Sequence, residues 1–325
     1  MTDRGLLDLA ICRIPGLSVR ERVKLCTKFE KEDEIVILSK KDIEKILNRP
    51  IAPSWTMDTV RRQAEKDAKT AHIRGIAWES CVSPEYPPLL REIFDPPAVL
   101  FYRGKLPNPE RPLAAVVGTR HPGPAAAMEA FGIARFLGSR GVPVVSGLAL
   151  GIDAMAHRGN IEGGAPTVAV LGSGADEIYP VSNRPLAARI LESGGAVFSE
   201  YPPGTPPRPW RFPARNRIIS ALARGTVIVE APEKSGALIT AGFALEQGRD
   251  LWIAPSGLRA AGTAKLASDG AGVLYSAESI LRDWRMEGAE NFCGCGKGVR
   301  KRDFSPGEPL ASSLARSLDI DLKGK

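Results

Sequence analysis

Six short turns in this 325-residue chain carry side chains and backbone groups suited to gripping an anion. They are Gly118-Thr119-Arg120-His121-Pro122-Gly123, Ser146-Gly147 running to Gly151-Ile-Asp153, Gly172-Ser173-Gly174 running to Tyr179-Pro180, Glu200-Tyr-Pro-Pro-Gly204, Ala231-Pro-Glu-Lys-Ser235-Gly236, and Pro255-Ser256-Gly257. Glycine lets a phosphate or sugar approach the backbone, and free N–H groups at a helix start attract negative charge. A single glycine turn says little, but six in series predict a groove for a phosphate-bearing ligand. Arg120 is a candidate phosphate ligand. The segment from Gly204 to Gly225 adds Arg208, Arg211, Arg215, Arg217 and Arg224 with no acid among them, and Trp210 and Phe212 lie between. Guanidinium groups track phosphates and aromatic rings stack on bases. The bland alternative for the two aromatics is that they anchor a long loop.

Catalytic chemistry has thin support. The dinucleotide fingerprint is incomplete, because Gly172-Ser-Gly174 is not followed by a third glycine until Gly194, and no phosphate-binding lysine-serine loop occurs. Ser146, Asp153 and His157 are near one another without a nucleophile elbow. Asp153 opens a helix and reads as a cap, and His157 one turn later reads as a packing residue. Cys293-Gly-Cys295 lacks a second ligand pair for zinc. No metal and no cofactor are expected.

These turns need a scaffold that lines them up. Apolar runs at Leu113–Val117, Val142–Val145, Thr167–Leu171, Ala196–Ser199, Thr226–Glu230 and Leu251–Ala254 alternate with helical stretches at Ala125–Ser139, Ile152–Ile161, Pro185–Ser193, Asn216–Ala223 and Gly236–Gln247. Their spacing is that of βαβ units, and their unbroken hydrophobicity is that of parallel strands covered on both faces. The fold predicted is α/β, an extended Rossmann-like, doubly wound, mostly parallel sheet. Ahead of it, apolar residues at helical spacing around Pro15-Gly16 and at Ile35–Leu38 and Ile43–Leu47 predict a small all-helical domain (SAM/HhH-like), with Ser54 capping a further helix to about Arg74. The expected organisation is a helical domain and connecting helix over residues 1–75, the Rossmann-like domain over 76–286, and a basic, disordered tail over 287–325 that carries Lys297–Arg302.

Composition bounds the rest. A hydrophobic content of 43% with 25% charged residues suits a globular chain, and no run is long enough to cross a membrane. The five cysteines are odd in number and mostly isolated, which with the acidic N-terminus predicts a cytoplasmic protein without a disulfide framework. The net charge of +7 permits an anionic partner.

Three segments stand out: Ser146-Gly-Leu-Ala-Leu-Gly-Ile-Asp-Ala-Met-Ala-His157, Phe212-Pro-Ala-Arg215-Asn216-Arg217-Ile-Ile, and Glu230-Ala-Pro-Glu-Lys-Ser235-Gly236-Ala-Leu-Ile-Thr240-Ala. Together they resemble the DNA-processing protein A (DprA/Smf) family. Tyr86-Pro-Pro-Leu-Leu, Asp95 to Gly104 and the Gly118-Thr119-Arg120 turn are similar to the family's lead-in and first turn. The resemblance covers roughly residues 78–284. It implies a non-enzymatic protein that binds single-stranded DNA, dimerises, protects incoming DNA in natural transformation and loads the RecA recombinase on it, with no membrane partner. It also implies a nucleic-acid site drawn from Gly118, Thr119, Arg120, Ser146, Gly147, Gly151, Tyr179, Arg184, Arg215, Asn216, Arg217, Ser235, Gly236 and Thr240. Val181 stands where the family often has a basic residue, with Arg184 a substitute, and Pro255-Ser256 departs from the family's Pro-Gly. The winged-helix domain that ends many members is not expected here. The competing reading is a small-nucleotide sensor or phosphoribohydrolase, with Glu230 and Glu246 as acids. The Pro-Gly-Gly-x-Gly-Thr turn of those enzymes is missing.

Overall fold

The computed structural model describes residues 5–29, 39–51 and 55–286. The expected features at Ile35–Leu38, Ser54, Cys293, Cys295 and Lys297–Arg302 lie outside the described residues. A nine-stranded mixed sheet runs in the order β1-β2-β6-β5-β4-β3-β7-β8-β9. The strands are β1 Ala77–Ser80, β2 Val99–Gly104, β3 Ala114–Val117, β4 Val144–Ser146, β5 Val168–Leu171, β6 Ala196–Ser199, β7 Gly225–Ile228, β8 Asp250–Ile253 and β9 Gly272–Val273. From β6 through β9 every pairing is parallel, and β3, β4, β5, β6 and β7 are buried at every position. This is the doubly wound, Rossmann-like sheet that the unbroken apolar runs predict. An antiparallel extension, β1 on β2 and β2 on β6, widens the sheet beyond those six runs. β4 starts two residues later than expected because Pro143 has no N–H for the ladder, although its carbonyl still accepts from Ala114 at 3.0 Å.

The chain winds outward from β3 through β4, β5 and β6 and then crosses back to β7 on the other side of β3. That reversal is the sheet's switch point, where ligands of such folds bind beyond the strand ends. The returning crossover is the helix Arg211–Leu222, which begins five residues before the expected Asn216. Pro213 sits in its first turn, where a missing N–H breaks no helical hydrogen bond.

Helices Gly5–Arg13, Val19–Lys28, Lys40–Leu47 and Met57–Ile73 make up the N-terminal part. Ser18 and Ser39 close capping boxes with Glu21 and Asp42, and Thr56 caps the last helix through Thr59. Leu7, Leu9 and Ile11 join Leu100, Phe101 and Phe198 in one hydrophobic cluster, so these helices and one face of the sheet share a core. Arg13 pairs with Asp67 at 2.5 Å and ties the first helix to the last. Among the described residues no helix is long and apolar enough to cross a membrane.

Candidate nucleic-acid interface

A cavity of about 580 Å³ opens beyond the carboxyl ends of β3 and β7. The β3 turn contributes Gly118, Thr119 and Arg120, the turn after β7 contributes Lys234, Ser235 and Gly236, and Thr240 lines the wall one turn further along. The crossover helix supplies Phe212, Arg215, Asn216 and Ile219. Those four recur at i, i+3, i+4 and i+7, which is one face of a helix. Tyr179 comes from the loop after β5.

The β3 turn is fastened from both sides. Thr119 N donates to the carbonyl of Glu230 at 2.7 Å, and Ile152 N donates to the Thr119 carbonyl at 3.2 Å. Gly151 adopts φ +74°, and a Cβ there would lie 2.5 Å from the Thr119 oxygen. Arg120 is left exposed, with its guanidinium 5.7 Å from the centre of the Phe212 ring. Phe212 also packs against Tyr179 at 5.5 Å between ring centres, so a cation and two aromatic faces lie side by side. Across the cavity, Ser235 caps the helix Gly236–Glu246 by accepting from Ala237 N at 3.3 Å, and Asn216 Nδ2 donates to the Gly236 carbonyl at 3.1 Å. The positive end of that helix therefore faces the cavity.

Arg215 forms the floor. Its guanidinium is buried and donates to the carbonyls of Gly147 (2.7 Å) and Val170. Burial pulls its pKa down to about 10, partly offset by the charge of Asp153. Asp153 accepts from the amides of Gly147 (3.1 Å) and Ala149 (3.4 Å) in the preceding turn; it does not take the capping role expected of it, because Gly151 is the N-cap of the helix Ile152–Glu162 and no side chain caps that helix. Its carboxyl is held above the usual range by burial, against the opposing pull of Arg215.

Nine of the sequence-predicted residues thus meet in one cavity: Gly118, Thr119, Arg120, Tyr179, Arg215, Asn216, Ser235, Gly236 and Thr240. Ser146, Gly147 and Gly151 sit behind it. Ser146 is fully buried and donates to the Val116 carbonyl at 2.7 Å, and a Cβ at Gly147 would lie 2.6 Å from the Arg215 guanidinium. These three shape the wall rather than face a ligand. Arg184 lies outside the lining, exposed at the start of the helix Arg184–Glu192.

Arg217 is a correction. Two residues beyond Arg215 on a helix, it points roughly 200° away, into a second cavity, and pairs with Glu200 at 2.6 Å and Asp95 at 3.0 Å. The absence of acids nearby in sequence was no guide, because its partners lie at the end of β6 and before β2. Arg211 stacks over Tyr201 and Arg224 over Trp284, so Arg215 is the one arginine of that segment in the cavity lining. Phe212, His121 and Lys234 line the cavity although they were not among the expected site residues. The acid-free aromatic-arginine pattern marked Phe212, and the turns themselves held the other two. His157 is a packing residue, buried against Thr167 at 2.8 Å.

The model of the family described as DNA recombination-mediator protein A matches residues 79–285. The DNA processing protein DprA of Bacillus subtilis (strain 168) is 35% identical over 289 residues, 86% of this chain and 96% of that protein. The DprA of Streptococcus pneumoniae (strain ATCC BAA-255 / R6) is 40% identical over 204 residues, 62% of this chain and 72% of the relative. Among solved structures, DprA from Streptococcus pneumoniae aligns with a TM-score of 0.68 at 32% identity, covering 87% of this chain and 98% of that one. DNA processing protein A from Helicobacter pylori, studied for its single-stranded DNA binding mode, aligns with a TM-score of 0.58 at 27% identity, covering 66% and 98%.

Proposed function

This chain belongs to the DNA recombination-mediator protein A family, and on that premise we propose that it binds single-stranded DNA at the β3/β7 switch-point cavity. The observation that carries the reading is the convergence of Arg120, Asn216 and the helix start at Gly236 around the paired rings of Phe212 and Tyr179. Cation and helix dipole suit a phosphate, the rings suit an unpaired base, and duplex DNA keeps its bases out of reach of such rings. Among the described residues lining the cavity, Asp153 is the one carboxylate, and it is engaged by two backbone amides. That arrangement favours a binding protein over the nucleotide-hydrolysing alternative. We further propose that the protein acts as a homodimer in the cytoplasm, protects the strand and passes it to a RecA-type recombinase in natural transformation and recombination. The family description and the relatives' DNA-processing role support this part.

The test is fluorescence anisotropy of a labelled oligothymidine titrated at two salt concentrations with duplex competitor. Binding that weakens steeply with salt and resists duplex supports the reading, and a RecA-filament assembly assay on the coated strand follows. Absence of binding at low salt, or release of free base from a nucleoside monophosphate, overturns it.

A further inference from the structure

Gly172 and Gly174, in the turn after β5, each make room for a packed neighbour. A Cβ at Gly172 would lie 3.0 Å from the Phe212 ring. A Cβ at Gly174 would lie 2.7 Å from the Asp176 carboxylate and 2.9 Å from the Pro202 carbonyl. The loop after β5 is thereby drawn onto the turn after β6. Both carboxylate oxygens of Asp176 accept from the Gly204 amide at 3.0 Å, and Gly174 N donates to the Thr205 carbonyl at 2.8 Å. The Asp176 side chain is only 7% exposed.

Arg74 reaches this clasp from outside the sheet. It is the C-cap residue of the helix Met57–Ile73, it pairs with Asp176, and it stands 3.7 Å from Glu177. Its guanidinium also borders the Gly204 turn, 3.9 Å from where a Cβ would sit. Inside the loop, Ser173 Oγ donates to the Glu177 carbonyl at 2.6 Å. Three residues past Asp176 comes Tyr179, which packs on Phe212. Asn183 holds the loop's far end, its Nδ2 donating to the carbonyls of Leu148 (2.9 Å) and Ala149 (3.2 Å). Tyr179, 45% exposed, thus stands between two anchors. A ring held in place before a base arrives loses less freedom on binding.

We propose, on the single-stranded DNA reading given above, that Asp176 is a positioning residue for the DNA cavity and that Arg74 links the N-terminal helices to it. Together they hold the loop that presents Tyr179. Oligothymidine anisotropy on the full chain tests this. Asp176→Ala and Arg74→Ala should each weaken binding at least about threefold, the scale of coupling through a shared loop. The salt slope should stay the parent's, since no phosphate contact is lost. Adding Asp176→Ala to Tyr179→Ala should cost no more than about a further twofold, whereas its loss should multiply in full with that of Lys234→Ala on the far wall of the cavity. Without DNA, amide hydrogen exchange in Asp176→Ala should quicken at Gly204 and through residues 174–183. Arg74→Ala should keep the parent's melting temperature, because a pair whose arginine is 45% exposed adds little stability. Parent-like affinity in either variant, a flattened salt slope, full multiplication with Tyr179→Ala, unchanged exchange or a lowered melting temperature in Arg74→Ala overturns the proposal. A parent that binds no oligothymidine overturns the DNA reading and this role with it, whereas a binding parent with unaffected variants overturns this role alone.

Discussion

Arg217 donates to Glu200 at 2.6 Å with the two side chains only 5% and 13% exposed. Asp95 closes the other side of the guanidinium at 3.0 Å. Removing one partner of a buried pair strands the other charge, at a cost of about 3–5 kcal/mol. Arg217→Ala is therefore expected to lower the urea midpoint of unfolding sharply. In whatever folded fraction remains, the salt dependence of oligothymidine binding should be that of the parent. A parent-like midpoint with a flattened salt slope would return Arg217 to the DNA site.

The contrast between Arg215 and Arg217 marks how far the sequence could be read. Strand order along the chain, the turns at Gly118 and Ser235 and the parallel sheet were legible, because hydrophobic runs and glycine turns act locally. The direction of a side chain depends on where its helix starts. Placing that start at Asn216 rather than Arg211 hid the face shared by Phe212, Arg215, Asn216 and Ile219. The acids that meet Arg217 are 122 and 17 positions away, and no local pattern announces them. The antiparallel strands β1 and β2 escaped for a similar reason, since β1 is four residues long and exposed at its first position.

Arg120 is exposed and belongs to no ion pair among those described, so its removal leaves nothing stranded. Arg120→Ala should keep the parent's stability and weaken oligothymidine binding for every sequence. The slope of log affinity against log salt should flatten by about 0.7, the value of one phosphate contact on a single strand. Anisotropy titrations at four salt concentrations measure both.

Phe212 touches both Arg120 and Tyr179 and lines the cavity, whereas Trp210, 67% exposed, is absent from the lining. Phe212→Ala should cost about 1–3 kcal/mol of binding, the range for losing one stacked base. Phe212→Tyr should retain most of it, because the ring face is kept. Trp210→Ala serves as the comparison and should change affinity less. Equal losses at the two positions would place the stacking platform elsewhere.

Gly151 holds the Thr119–Arg120 turn by letting backbone pass within 2.5 Å of where a Cβ would sit, at φ +74°. Gly151→Ala should cost at least about 1–3 kcal/mol of stability from backbone strain, and the displaced turn should weaken DNA binding as well. Gly123 has no atom within 4 Å of its hypothetical Cβ, so Gly123→Ala should be nearly neutral. Thermal melts and anisotropy on the pair separate a strained turn from a general intolerance of added methyls.

His157 supplies a pH dependence whose sign can be worked out. Thr167 Oγ1 donates to the Val144 carbonyl at 2.7 Å, so it accepts from His157 Nδ1 at 2.8 Å, and the proton of the neutral ring is assigned to Nδ1. Nε2 is buried with no partner for a second proton. Burial above all, and then the charge of Arg215, push the imidazole pKa down to about 3. An unfolded chain protonates this histidine near pH 6.5. Between about pH 6.5 and 3 the unfolded state therefore binds the extra proton, and folding stability declines as the pH falls, by roughly 1.4 kcal/mol per unit. Asp153, held above its ordinary range, acts in the opposite sense, so the whole-protein curve alone does not isolate the histidine. His157→Gln removes the titrating ring. Urea midpoints at pH 7.5, 6 and 5 should fall steeply for the parent and flatten in the variant. A variant that keeps the parent's slope would mean that another group takes up the proton.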